Sequence, residues 1–221
     1  MIVMKRILLA AAVLLWASLF ASGQRRTVIF EDSPILHLGM FVTDYEDGTS
    51  DYFIRLDDNN HYKDSVCIVL SREECPAMYN AILQLERKFR EWSYEARANR
   101  VSNYSRPMDV EFPPVRFTWR TRVELGYGLA YWDKKWHTAR PEHFPTFSFV
   151  IDEEGHCSVC INTTFIDVED PSCTLDSRII FHSTGILRDF RERCNLRKID
   201  RIYAEKNPAP RSKEFYDSIF K

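Results

Sequence analysis

The stretch Val115–Tyr131, VRFTWRTRVELGYGLAY, places an apolar residue or threonine at every odd position. This alternation is the pattern of a β-strand with one buried face, because successive side chains of a strand point to opposite sides of the sheet. Pro113 and Pro114 precede the stretch and prevent a helix from continuing into it. We therefore predict a long strand that begins at Val115, with the arginines of the stretch on its other face.

Further strands are predicted on both sides of this one. Short runs rich in β-branched and aromatic residues, separated by polar turns, occupy residues 27–31, 35–43, 52–56 and 65–70. A hairpin is predicted later in the chain, with strands at 146–152 and 157–165 and a turn at Glu153-Glu154-Gly155. Residues 177–181 predict one more strand. Strands joined by such short turns favour antiparallel pairing.

One long amphipathic helix is predicted between these strands. Ser71 and Glu74 form a capping-box pattern, although Pro76 leaves the position of the first helical turn undetermined. Apolar residues then recur at spacings of three and four, at Met78, Ile82, Leu85, Phe89, Trp92 and Ala96. Shorter helices are predicted at 184–194 and from Ser212 onward, whereas 196–203 stays ambiguous. The predicted fold class is α+β, with a mostly antiparallel β-sheet packed against one long amphipathic helix and short C-terminal helices.

The first 23 residues predict export from the cytoplasm. Lys5 and Arg6 precede an apolar run and the small residues Ala21-Ser22-Gly23, which is the pattern of a secretory signal peptide cleaved before Gln24. The apolar run is shorter than the ~20 residues that span a membrane, which favours cleavage over retention as an anchor. We expect a periplasmic or secreted protein in which residues 24–221 form a single α+β domain without a stable membrane span.

Composition and motifs argue against several functional classes. The chain holds 30 Lys+Arg and 32 Asp+Glu, and removal of residues 1–23 deletes two bases and no acid, which leaves a formal charge of −4. Nucleic-acid binders usually carry a clustered basic excess, so we expect no nucleic-acid partner. The sequence contains neither a Gly-x-Ser-x-Gly elbow nor a Gly-x-x-x-x-Gly-Lys phosphate loop. We assign no catalytic residue and no cofactor.

The six cysteines predict disulfide bonds, because an exported chain meets an oxidising environment. The segment His156-Cys157-Ser158-Val159-Cys160 also raises the alternatives of thiol redox exchange and a zinc half-site, with Cys173 as a further ligand. In an extended strand Cys157 and Cys160 point to opposite faces, which argues against both alternatives. We assign no metal ligand.

Two groups of residues are candidates for ligand binding. Arg116, Arg120 and Arg122 share one face of the predicted strand and would attract a carboxylate, sulfate or phosphate group; the alternative is pairing with acids on a solvated sheet face. Trp132 and Trp136 lie in a predicted loop and would stack on a sugar or anchor a protein; the alternative is packing over a core edge.

The leading functional hypothesis is an exported, non-catalytic binding or scaffolding protein whose partner is an envelope protein or a carbohydrate. The alternative is an extracytoplasmic hydrolase whose acid/base residues are dispersed in the sequence, drawn from Glu124, His137, His143 and His182. A thiol-redox or zinc protein is the third hypothesis.

Overall fold

The computed structural model describes residues 24–31, 38–57, 64–126, 129–132, 136–143 and 145–208, with the backbone alone at 57, 64, 121–126 and 129–132. The described strands are β1 (Arg25–Phe30), β2 (Gly39–Asp44), β3 (Ser50–Asp57), β4 (Asp64–Leu70), β5 (Tyr104–Pro107), β6 (Arg116–Gly126), β7 (Leu129–Trp132), β8 (His137–Pro141), β9 (Phe147–Ile151), β10 (Cys157–Asp167) and β11 (Thr174–Phe181). The described helices are α1 (Cys75–Ala98), α2 (Thr184–Glu192) and α3 (Leu196–Lys206). The predicted α+β class is confirmed.

The strands form one large sheet in the order β1-β2-β3-β4-β6-β8-β10-β9-β5, with β11 also paired to β10 and β7 to β6. Every described pair is antiparallel, as predicted. β4 lies between β3 and β6, and its residues from Val66 to Leu70 are at most 3% exposed. This burial on both faces explains why the segment is apolar without alternation.

The predicted long strand begins at Arg116, one residue later than expected, and ends at Gly126, while the residues from Leu129 pair back on it as the antiparallel strand β7. Phe117 and Trp119 are each 2% exposed, and Phe117 packs against Phe112 and Phe165. The pairing between β6 and β7 shifts register between Glu124 and Gly126, where the missing side chain of glycine accommodates an irregularity.

Helix α1 extends over 24 residues and covers this core face of the sheet. Its apolar stripe is buried, as predicted, at Met78, Ile82, Leu85, Phe89 and Ala96. Phe89 and Trp92 both meet the Phe149 ring edge-on, with ring centroids 6.0 and 5.5 Å apart. Such aromatic pairs add about 0.5–1.5 kcal/mol each beyond the area that they bury.

The start of α1 differs from the capping-box prediction. The helix begins at Cys75 with Pro76 in its first turn, and Glu74 is its N-cap residue. One of the two hydrogen bonds of the capping box forms: the Glu74 carboxylate accepts from the Ser71 backbone N–H at 2.6 Å. Pro76 lacks an N–H group and suits the first turn, so the helix starts beside it rather than at Ser71.

Buried Leu187 and Phe190 hold α2 on the core, whereas polar contacts contribute more to the placement of α3. Ser183 caps α2 by accepting a hydrogen bond from the Ile186 N–H at 3.3 Å. The segment 196–203, ambiguous in sequence, is helical in α3, where only Ile199 is fully buried. In α3, Asp200 pairs with Arg72, and the Tyr203 hydroxyl donates to Asp44 at 2.6 Å. The helix predicted from Ser212 and the signal peptide predicted at 1–23 lie outside the described residues.

Candidate functional site

A cleft opens where three separate segments of the chain meet. One wall is the C-terminal half of α1, the second is the turn between β9 and β10, and the third is the junction between β11 and α2. The cavity measures about 380 Å³, which lies in the range of small-molecule pockets. The lining residues are Phe89, Arg90, Ser93, Arg97, Gly155, His156, Cys157, His182, Ser183 and Thr184.

Cationic and potentially cationic side chains surround this cleft. Arg97 is exposed, and its Nε donates to the Ser93 backbone carbonyl at 3.0 Å, which orients the guanidinium and leaves its two terminal nitrogens for other acceptors. Arg90 also lies on α1 and bonds the Glu86 carboxylate at 3.1 Å. His182 adds an exposed imidazole from the opposite wall. The described residues that line the cleft include no carboxylate.

The turn between β9 and β10 holds the second wall in place. Gly155 has φ +85°, a left-handed conformation that favours glycine. Asp152 accepts a hydrogen bond from the His156 backbone N–H at 2.7 Å and faces the His156 ring nitrogen at 3.1 Å. The backbone hydrogen bond, with help from the imidazole, lowers the pKa of Asp152 below its ordinary value. His156 is therefore tied to its own turn, and Arg97 and His182 are the more available groups.

The N-terminus of α2 forms part of the third wall. The backbone N–H groups of Thr184 and Gly185 belong to the first turn and have no acceptor within the helix. Together with the helix dipole they favour a negatively charged group at this end.

A buried hydroxyl in the cleft lacks a partner among the described residues. Ser93 is 4% exposed, and its Oγ has no hydrogen-bond acceptor or donor in the described part of the chain. Leaving such a group unsatisfied costs about 1–3 kcal/mol. Because Ser93 lines the cleft beside Arg97, rotation of its side chain toward the cavity would let an oxygen-bearing ligand seated there satisfy the hydroxyl.

The arginines predicted to form a strip on β6 have different surroundings. Arg116 makes a two-pronged ion pair with Asp51 of β3, with N–O distances of 2.6 and 3.2 Å. The hydrogen bonds that its guanidinium donates to this carboxylate raise the pKa of Arg116 above its ordinary value. Arg120 lies over the Trp136 ring at 4.6 Å. The side chains of Arg122 and Trp132 lie outside the described part, as does that of Glu124.

Trp136 and Arg120 border a smaller pocket of about 110 Å³ on the sheet face opposite α1. Arg26 and Arg55 line the same pocket, and Arg26 lies 3.4 Å above the Phe41 ring. Burial lowers the pKa of Arg120, and the positive charges of Arg55 and Arg26 lower it further. The ligand-binding role of the strip and of the tryptophans stays a prediction.

The histidines named for the hydrolase alternative are distributed over the fold. His137 Nδ1 lies 2.7 Å from the buried Asp167 carboxylate, His182 lines the cleft, and His143 is exposed near the start of β9. Cys173 lies beside His137 and Asp167, with ligand atoms of all three within 4.8 Å of one another.

The disulfides predicted from the export signal are not formed, and no disulfide bond joins any two of the described cysteines. Cys157 and Cys160 both lie on β10, three residues apart and therefore on opposite faces, as the strand pattern predicted. Cys160 is fully buried, whereas Cys157 is partly exposed and lines the cleft. The zinc half-site considered for these two cysteines lacks the convergence that a metal requires.

The cleft was not identified from the sequence. Of its residues, His182 was named only among the dispersed histidines of the hydrolase alternative, while Arg90, Ser93 and Arg97 belong to no sequence motif. No family model, curated protein or solved structure matches this chain. Among the described residues, no helix has the length and apolar character needed to cross a membrane.

Proposed function

We propose that this protein is an exported, non-catalytic binding protein that captures a small anionic ligand in the cleft between α1, the β9–β10 turn and α2. The observation that carries the proposal is the Ser93 hydroxyl, which is buried and lacks a partner among the described residues. It lies in a cleft whose other polar groups are arginine and histidine side chains and a helix N-terminus. These groups together complement a carboxylate, sulfate or phosphate group.

The size and lining of the cleft limit the ligand further. About 380 Å³ accommodates a small molecule rather than a folded partner. Phe89 and Cys157 add apolar surface to the polar rim, so the best fit is a compact anion with a small apolar part. Arg97 would hold the anionic oxygens with its terminal nitrogens, and the Ser93 hydroxyl would donate to one of them.

Binding is better supported than hydrolysis at this cleft. General acid/base catalysis needs a titratable group within hydrogen-bond reach of the reacting atom, usually oriented by a second group. Among the described residues, two histidines line the cleft. His182 has no carboxylate partner there, and the partner of His156, Asp152, belongs to the same turn as His156 itself. The Cys157 thiol lies 3.9 Å from the Gly155 carbonyl, which does not activate it as a nucleophile.

The arginine strip of β6 is the second candidate location. The stacking of Arg120 on Trp136 favours it, because a guanidinium and an indole side by side suit an anion that carries a ring. The ion pair between Arg116 and Asp51 weakens it, since that arginine already has a carboxylate. The cleft is therefore preferred.

The test is a titration of the purified protein with sodium sulfate, sodium phosphate and sodium benzoate at constant ionic strength, followed by calorimetry. We expect saturable binding of at least one anion and a loss of at least about tenfold in affinity in Arg97→Ala, because a charge-assisted hydrogen bond contributes about 1.5–3 kcal/mol. Arg87→Ala is the matched control, because Arg87 is an exposed arginine of the same helix outside the cleft.

Ser93→Ala separates a ligand-binding hydroxyl from a structural one. Removal of an unsatisfied buried hydroxyl should leave the unliganded protein equally stable or more stable by up to about 1 kcal/mol, while anion affinity falls. Equal affinities in Arg97→Ala and Arg87→Ala, or an unliganded Ser93→Ala protein that is clearly less stable, would contradict the proposal.

A further inference from the structure

Three potential metal ligands of different chemistry converge at the end of β10. His137 opens β8, Asp167 closes β10, and Cys173 ends the turn that leads into β11. The His137 Nδ1 lies 2.7 Å from an Asp167 carboxylate oxygen, and one ligand atom of each of the three residues lies within 4.8 Å of the others.

The surrounding structure fixes these side chains in place. The Trp119 indole stacks on the His137 ring at a centroid distance of 4.8 Å and an interplanar angle of 14°. The second Asp167 carboxylate oxygen accepts a hydrogen bond from the Glu169 backbone N–H at 2.9 Å, and the Asp167 N–H donates to the Cys173 carbonyl at 3.0 Å. Sheet register and turn geometry thus hold two of the ligands together, and aromatic packing orients the third.

We propose that His137, Asp167 and Cys173 form a zinc-binding site. A thiolate, an imidazole and a carboxylate are the ligand types that Zn²⁺ combines, whereas Mg²⁺ and Ca²⁺ prefer oxygen ligands alone. With bonds of about 2.0–2.3 Å, the ligand atoms of a tetrahedral zinc lie about 3.4–3.7 Å apart. The present spacing reaches that value through changes of about 1 Å, which side-chain rotation supplies.

Binding has defined chemical consequences. The Cys173 thiol loses its proton to solvent when its sulfur coordinates the ion, so the apparent affinity rises with pH. Three protein ligands leave a fourth position for water or a ligand from outside. The ion would also fasten the turn after β10 to the start of β8.

This site is independent of the anion-binding cleft. Cys157 of the cleft and Asp167 of the metal site stand at opposite ends of β10. At about 3.3 Å per residue, the eleven-residue strand separates them by about 33 Å. Failure of one proposal would therefore leave the other intact.

A second group, Asp152, Glu154 and His156, also brings potential ligand atoms within 4.8 Å, but all three residues are exposed and none is a thiol. It offers no sulfur and no burial, so it fits a selective zinc site less well. A control variant must therefore remove any metal binding by this group.

The experiment is a titration of the metal-depleted, reduced protein with Co²⁺, read by absorption, and with Zn²⁺, read by competition with a chelating dye. We expect one ion per chain and a thiolate-to-cobalt charge-transfer band in the near ultraviolet. Cys173→Ser should abolish the band and weaken Zn²⁺ binding at least about 100-fold, which exceeds the usual effect of losing a residue that only supports a ligand. His137→Ala should weaken binding similarly.

Two control variants test whether Zn²⁺ binds at His137, Asp167 and Cys173 rather than at another thiol or at the exposed group. Cys157→Ser removes another partly exposed thiol, and His156→Ala disables the exposed group; both should retain the band and the affinity. Circular dichroism of Cys173→Ser checks that it stays folded, which is expected because its backbone contact with Asp167 does not need the thiol. The absence of one-to-one binding, or a band that survives in folded Cys173→Ser, would overturn the proposal.

Discussion

The Glu86 carboxylate of α1 lies 2.6 Å from the Arg191 guanidinium of α2. Glu86 is only 4% exposed, and it also bonds Arg90 of its own helix at 3.1 Å. A buried carboxylate shared by arginines of two helices fixes their relative position. Because α1 and the start of α2 supply two walls of the cleft, this ion pair positions the proposed binding site.

Replacement of this carboxylate tests its role in the fold. Glu86→Gln should lower the free energy of unfolding by about 2–3 kcal/mol, because it removes the carboxylate charge 2.6 Å from the largely buried Arg191 and leaves the more distant Glu192, at 3.7 Å, as its acidic neighbour. Arg188→Ala is the control, since Arg188 is 57% exposed and lies 3.8 Å from the same carboxylate; it should cost less than about 0.5 kcal/mol. Urea denaturation measures both, and equal effects would contradict the assignment.

The pair between Asp200 of α3 and Arg72 should make stability depend on pH at the acid end. The hydrogen bond from Arg72 holds the pKa of Asp200 below its ordinary value of 3.8. This lowered pKa stabilises the folded protein at every pH above the pKa of Asp200 in the unfolded chain. The stabilisation is lost as the pH falls through the pKa of Asp200 in the folded protein. Asp200→Asn should therefore cost about 0.5–1 kcal/mol at neutral pH, and the difference from wild type should shrink below about pH 4.

Glu205→Gln is the control for this pH dependence. Its partner Arg201 lies 3.9 Å away, and both side chains are about two-thirds exposed. We expect its stability to follow wild type at every pH. A difference between Asp200→Asn and wild type that grows on acidification would contradict the pairing.

The cysteines should differ in reactivity in the folded protein. Burial raises the pKa of Cys75 to about 12, and burial also raises that of Cys194. Because the thiolate is the reactive form, both thiols should resist alkylation near pH 8 until the protein unfolds. Partly exposed Cys157 and, without metal, Cys173 should react first. Mass spectrometry of timed alkylation measures this order, and labelling of Cys75 at the rate of Cys157 would contradict it.

Variants of Arg116 and Arg120 distinguish between the two candidate binding sites, the cleft and the arginine strip of β6. Arg116→Ser should destabilise the protein by up to about 1 kcal/mol through loss of the Asp51 pair, and Arg120→Ser by a similar amount through loss of its stacking on Trp136. Neither should change anion affinity beyond about twofold if the ligand occupies the cleft. A large loss of affinity in Arg120→Ser, measured by the same calorimetry, would move the site to β6.

Sequence patterns predicted those elements whose burial is periodic. Phe117 and Trp119 of β6 and the apolar stripe of α1 follow the predicted spacing because each of these residue sets faces the core. β5 was missed because its four residues, Tyr104–Pro107, are all exposed and show no alternation. α3 was ambiguous because only Ile199 is fully buried, so capping and polar contacts define that helix more than an apolar stripe does.

The candidate sites depended on contacts that sequence patterns do not encode. Arg116 and Asp51 are 65 residues apart, so the strip pattern could not show that the arginine was already paired. Ser93 and His182 meet across one cleft, and Asp167, His137 and Cys173 converge only because β8 and β10 pair in one register. Such convergence follows from tertiary packing, which local spacing leaves open.

The most direct test of anion capture in the cleft is a titration of the protein with sodium sulfate, followed through its backbone amide chemical shifts. We predict saturable shifts at Thr184, Gly185, Gly155 and His156, lost in Arg97→Ala and retained in Arg87→Ala. Saturable shifts confined to β6 around Arg120, or shifts that do not saturate anywhere, would contradict the account.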